Sequence, residues 1–199
     1  MFSGSWIGTD TEGQSDYFGP VVSVAVLVFD STAQRLATMI PDTLNDADLA
    51  ALATHLRSAC VNRYVEIGPE RYNELIEQGA MPSRLIAWSQ ANAVAKLLRL
   101  GAASGNVLVN HPDAAYVAFR LSQRFPDRQL TIRSAPDHED VAIQVARIIA
   151  RWHYLSWLSR TSQTLKTRLP TGTGVEAQSA MRQFSANKLR SVAKLDRKG

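Results

Sequence analysis

The sequence predicts an α/β domain: a mixed sheet flanked by helices and closed by a C-terminal helical segment. Two β-rich runs near the start, Ser5 to Asp10 and Val21 to Phe29, flank a glycine-containing turn through Gly13 and Gly19-Pro20, the pattern of a hairpin. Further on, segments with apolar residues at three- and four-residue spacing alternate with short β-rich runs. A hairpin followed by alternating helices and strands indicates one mixed sheet with helices on its faces. The 199 residues suffice for one domain with a substantial core, and no linker or repeat divides residues 1–199.

After the hairpin, Leu36 to Met39 reads as a short helical or extended piece. Asn45-Asp46-Ala47-Asp48 supplies N-cap residues for a helix through Cys60, and VNRYVEIGP reads as a third strand ended by Gly68-Pro69. From Pro82 or Ser83, Leu85, Ile86, Trp88, Ala91, Val94, Ala95 and Leu98 trace an apolar helical stripe that Gly101 closes. NVLVN is a short buried strand, Ala114 to Phe125 a helix and QLTIRS another strand. The longest helix is expected from Asp137 to about Leu158, with Ala142, Val145, Ala146, Ile149 and Ala150 facing inward. LPTGTG is a loop, and Val175 to Lys194 carries one or two closing helices.

Composition excludes several classes. Hydrophobic residues at 45% and charged residues at 20% fit a globular protein. The longest apolar run, Val21 to Phe29, is broken by Ser23 and falls short of the roughly 18–20 residues a membrane helix needs, so no membrane association is expected. No basic-then-apolar leader is evident, and Cys60 is the single cysteine, which excludes an internal disulfide or a multi-cysteine zinc cluster. A reducing cytoplasm is the expected compartment. Charge is uneven: residues 181–199 hold six basic side chains against Asp196, a net of +5, so the remaining 180 residues total about −1. A basic tail on a near-neutral body suits phosphate contact, although a solubilising terminal helix has the same composition.

Two-metal hydrolysis of a phosphodiester needs carboxylates converging from different elements on cations about 3.5–4 Å apart. Strand ends and helix starts offer Asp10, Glu12, Asp16 and Asp137, with Asn110 and Asp113 at the end of NVLVN. Spacing alone does not separate these from capping or solvated acids. The four histidines lack zinc-like spacing, the Gly101–Gly105 segment has no lysine for a phosphate loop, and Trp152, Tyr154 and Trp157 are expected to pack the C-terminal region.

The segment GTDTEGQSDYFGP, Gly8 to Pro20, resembles the opening signature of ribonuclease HIII, G-x-D-E-x-G-x-G-D-Y-F-G-P. It matches at Gly8, Asp10, Gly13, Asp16, Tyr17, Phe18, Gly19 and Pro20. Pro69 to Leu75 is similar to the family's P-E-x-Y-N-E-L, and Val141 to Arg151 to its V-A-A-A-S-I-I-A-R helix. Leu169-Pro170 with Gly172 is similar to L-P-x-G, and Val192 to Leu195 to its closing V-A-K-L. The resemblance implies a ribonuclease H-like fold, Mg2+ or Mn2+ as cofactor and an RNA–DNA hybrid as partner. The family's N-terminal module, which resembles the TATA-binding protein, has no counterpart in these 199 residues. Hybrid affinity is therefore expected to be weaker unless a protein partner compensates.

Carried over position by position, the family's four acids fall on Asp10, Thr11, Asn110 and Asp137, so two are kept as metal ligands, Asp10 and Asp137. Thr11 cannot serve as a carboxylate, and an amide at Asn110 brings oxygen without charge. Glu12 shares a strand face with Asp10 if the backbone stays extended, which makes it a candidate substitute acid. The resemblance implies nucleic-acid contacts at Gly13, Gln14, Ser15, Tyr17 and Arg151, and the basic tail adds Lys188, Arg190 and Lys194. Ser15 replaces a ribose-reading glycine, Leu44 stands where the family's D-S-K motif (beginning at Asp42) has lysine, and Arg147 replaces a small serine. The expectation is a protein that binds RNA–DNA hybrid or related nucleic acid with impaired or lost cleavage, alone or as a subunit or regulator. The alternative is an active, divergent metal-dependent endoribonuclease using Asp10, Glu12, Asp137 and Asp113.

Overall fold

The computed structural model describes residues 4–41, 43–136 and 140–196. Five strands form one sheet in the order β3-β2-β1-β4-β5. β1 (Ser5–Glu12) pairs antiparallel with β2 (Val21–Phe29), which pairs antiparallel with β3 (Val61–Ile67). On its other side β1 runs parallel to β4 (Asn106–Val109), and β4 runs parallel to β5 (Thr131–Ser134). The hairpin and the mixed sheet expected from the sequence are therefore present.

Helices cover both faces. α6 (Val141–Leu165) crosses β1 and β2 on one side, with α1 (Asp30–Met39) and α2 (Asp46–Ala59) beside it. On the other side α4 (Pro82–Arg99) lies over β1, β2 and β3 and packs against α5 (Ala114–Ser122). Strand alternation divides the core accordingly. Trp6, Val22, Val24, Val26, Val28 and Leu108 face α6, whereas Ile7, Ala25, Leu27, Val107 and Val109 face α4. Among the described residues no helix is long and apolar enough to cross a membrane.

Two anchors set α6 against β1. The carboxylate of Asp140, the N-cap, accepts from the backbone N–H groups of Ala142 at 2.8 Å and Ile143 at 3.4 Å, and also from the Trp6 indole at 3.0 Å. Beneath that first turn lies Gly8, where a Cβ would meet the Ala142 backbone at 2.5 Å. Only a residue without a side chain allows this approach. The helix thus starts at Val141, not Asp137, and continues to Leu165, past the expected end near Leu158. Asp137 and Asp42 lie outside the described residues.

The sequence reading also missed α3 (Pro69–Glu77). Gly68-Pro69 ends β3 as expected, but the same proline sits in the first helical turn, where its missing N–H costs nothing. α7 (Val175–Met181) and α8 (Ala186–Val192) form the closing segment. The chain then passes under the β1–β2 connection: Gly19 donates to Val192 at 3.0 Å, and the Lys194 N–H to Tyr17 at 2.8 Å. Cys60 caps the end of α2 and is half-buried.

Candidate functional site

Parallel pairing of β1 and β4 brings two strand ends together. Thr9 lies opposite Val109, so Asp10 and Asn110 follow side by side on the α6 face. The Asn110 side-chain amide donates to Asp10 Oδ1 at 3.0 Å, and the Thr11 backbone N–H donates to the same oxygen at 2.7 Å. Asp10 is buried. Burial raises its carboxyl to about 7; the negative Glu12 adds to the rise, and the two hydrogen bonds and Arg147 oppose it.

Thr11 points the other way, toward α4. Its hydroxyl shares a hydrogen with Ser23 Oγ at 2.7 Å and accepts from Gln90 Nε2 at 3.0 Å, and Ser23 continues the chain to Ser89 at 2.5 Å. The Gln90 Oε1 in this buried network has no hydrogen-bond partner among the described residues. Glu12 returns to the α6 face, because β1 stays extended to its end. There Glu12 Oε1 lies 3.9 Å from Arg147 Nε. Burial raises its carboxyl, and the charges of Arg151 and Arg147 counter that rise.

Asp10, Glu12, Gly13, Gln14, Ser15, Asn110 and Arg147 line one polar cleft of about 210 Å³. Gly13 turns the chain at its floor with φ +75°, and a Cβ there would collide with the Pro20 carbonyl and lie 2.7 Å from the Tyr154 ring. Tyr154 therefore packs the β1–β2 connection, in the same buried cluster as Ala177, Ala180 and Val192 of the closing segment. Asp16 accepts a hydrogen bond from the Gly172 N–H and fastens the same connection to the 169–174 loop. Arg151 lies one turn beyond Arg147, in the adjoining groove, where it pairs with Asp46 at 2.9 Å.

Two expected nucleic-acid contacts are corrected. Lys194 is fully buried, its ammonium donating to the carbonyls of Gly19 at 2.7 Å and Phe18 at 3.3 Å, so it braces a turn and does not reach a phosphate. Tyr17 is 4% exposed and belongs to the core. Arg190 forms a two-pronged pair with Glu77, and neither it nor the exposed Lys188 lines the cleft. Asp113, offered as a substitute acid, caps α5 and pairs with Arg84 at 3.0 Å. Sequence reasoning left the role of Arg147 open and gave no sign of the Gln90–Thr11–Ser23 chain, which exists only once α4 covers the sheet.

The model of one family, described as Ribonuclease HII, matches residues 7–198. The chain belongs to the ribonuclease HII family. Among curated relatives, the chain is similar to ribonuclease HIII of Protochlamydia amoebophila (28% identical over 195 residues) and of Chlamydia pneumoniae (28% over 188). These alignments cover 94% and 90% of the chain, but 64% and 62% of those proteins. The chain thus spans less than two thirds of the length of the curated relatives it matches. Among solved structures, a mutant protein of Bst-RNase HIII superposes with a TM-score of 0.84 at 25% identity, covering 98% of this chain and 67% of that one. The RNase HII of Archaeoglobus fulgidus, solved in complex with PCNA, superposes at 0.78 and 18% identity over 98% of this chain and 95% of that one, a likeness of fold.

A Bst-RNase HIII structure contains Mn2+. In this member of the ribonuclease HII family Asp10 and Glu12 are carboxylates of one cleft, and Asp137 lies outside the described residues. Asp10 Oδ1 is occupied by two donors, and Thr11 and Asn110, engaged in hydroxyl and amide contacts, bring no carboxylate. No group of three or more His, Cys, Asp or Glu residues suited to a metal occurs among the described residues.

Proposed function

We propose that this ribonuclease HII family member binds RNA–DNA hybrid, or closely related nucleic acid, in the cleft at the end of β1, with cleavage impaired or lost. One observation carries the reading: at the two positions where the resemblance places a second and third acid, Thr11 turns into a buried hydroxyl chain and Asn110 donates to Asp10. Two neutral groups in place of two anions remove half of the formal charge that would neutralise a pair of divalent ions. Mg2+ or Mn2+ then binds weakly or not at all. Hybrid recognition falls to Gly13, Gln14 and Ser15 at the floor and lip and to Arg151 in the adjoining groove. The protein works in the cytoplasm, as a binding module or as a subunit of a complex whose partner supplies chemistry.

A second reading, an active divergent endoribonuclease, draws support from the shared face of Asp10 and Glu12 in one cleft. It requires Glu12 to leave Arg147 and Asp137 to complete the set. Incubating the purified protein with a labelled hybrid in Mg2+ and in Mn2+, alongside a binding titration of the same hybrid, decides between them. Saturable binding without product is the expected result. Multiple turnover in either metal establishes the second reading.

A further inference from the structure

Beside the cleft lies a larger groove of about 830 Å³, bounded by α6 and by residues such as Ile40, Leu44 and Leu49. Its walls differ in chemistry: Ile40, Leu44 and Leu49 form an apolar side, whereas Gln144, Arg147 and Arg151 face them from α6. Arg147 lines both cavities, so the two adjoin at its side chain. Residues 147 and 151 are one helical turn apart and present their charges on one face of α6. Glu12 feels both, and Asp46 holds Arg151 from the opposite wall. Two carboxylates thus hold two guanidinium groups at the mouth of a polar cleft.

From this arrangement we infer that Arg147, with Arg151, forms a metal-independent seat for a backbone phosphodiester, entering beside Asp10 and running along α6. The inference rests on the hybrid-binding reading and names what anchors the substrate there. A planar guanidinium bonds phosphate oxygens in pairs and stays charged at any working pH. The Arg147–Glu12 pair, at 3.9 Å with Arg147 55% exposed, is loose and solvent-screened. Opposite, beside the apolar Ile40, Leu44 and Leu49, Asp46 is the acid already paired with Arg151.

The test is hybrid binding in EDTA across a salt series, for the wild type, Arg147→Gln and Arg147→Lys. Thermal melts confirm that each is folded, which the exposed side chain favours. The wild type is expected to bind without metal. Arg147→Gln is expected to weaken binding several-fold at low salt and to flatten the log Kd–log salt slope by about one, the contribution of a single phosphate contact. Arg147→Lys is expected to retain the slope. Unchanged affinity and slope in Arg147→Gln overturn the seat while hybrid binding stands. Wild-type binding that appears only with Mg2+ or Mn2+ also overturns it, since the ion is then the anchor. Failure of the wild type to bind hybrid under any condition removes the seat and the hybrid reading together.

Discussion

Asn110 donates its side-chain amide to the carboxylate of Asp10 across 3.0 Å, joining the ends of two parallel strands in a buried polar pair. Replacing Asn110 by Asp converts a donor into a second anion beside the first. In metal-free protein, Asn110→Asp is expected to lower stability by about 1–3 kcal/mol through repulsion and an unsatisfied buried charge. Mn2+ should recover much of that loss in the variant and change the wild type little. Thermal melts with and without Mn2+ check both halves.

Restoring both lost acids tests whether the damage is confined to them. Thr11→Glu with Asn110→Asp is expected to produce hybrid cleavage orders of magnitude above the wild type, because metal ions stabilise transition-state charge by several kcal/mol. Recovery should be partial. The Thr11 side chain leaves the strand on the α4 face, toward Gln90 and Ser23, so a glutamate there must bend back to reach Asp10. Denaturing gels of labelled hybrid in Mg2+ measure the outcome; equal cleavage by wild type and double variant contradicts it.

Asp10 makes the metal-free protein sensitive to pH. Its carboxyl is raised from 3.8 to about 7 in the folded chain, so the folded state holds the proton more tightly than the unfolded state. Stability is therefore complete below about pH 4 for this group and declines as pH rises through 7. Asp10→Asn keeps acceptor and shape but cannot ionise. It should stabilise the metal-free protein by on the order of 2–4 kcal/mol at pH 8, with the gain vanishing toward pH 4. Urea unfolding of both proteins at pH 4, 6 and 8 gives the comparison.

Lys194 is expected to matter for folding and not for binding. Lys194→Ala leaves the Phe18 and Gly19 carbonyls without their ammonium donor and opens a cavity under the turn, a loss of roughly 2–5 kcal/mol. Hybrid affinity of the folded fraction should be unchanged. A fall in affinity at full folding restores Lys194 to the binding surface.

Much of the framework is legible in local pattern. The glycine-bounded turn announces the hairpin, and strand alternation alone separates Glu12 from Thr11. Gly68-Pro69 misleads because one dipeptide both ends a strand and begins a helix, and local pattern favours only the first role. Asp137 and Asp140 are both chemically suited to cap a helix; the contact of Asp140 with Trp6, 134 residues away in sequence, decides for the second. Lys194 looks like part of a basic tail because its neighbours in sequence are basic. Its burial depends on Phe18 and Gly19, which the fold brings to it and no local pattern announces.

The anchoring of α6 on β1 has a mechanical consequence. Gly8 and Asp140 fix the helix to the strand that also bears Asp10 and Glu12, so that flank of the cleft is one rigid jaw with a set gauge. The other flank, α1 and α2, packs on α6 through the buried Leu36, Leu49, Ala53 and Leu56, with the exposed Arg151–Asp46 pair only at the surface of that contact. Salt therefore weakens the surface pair and leaves the buried contact beneath it intact, so the groove keeps its width as ionic strength rises.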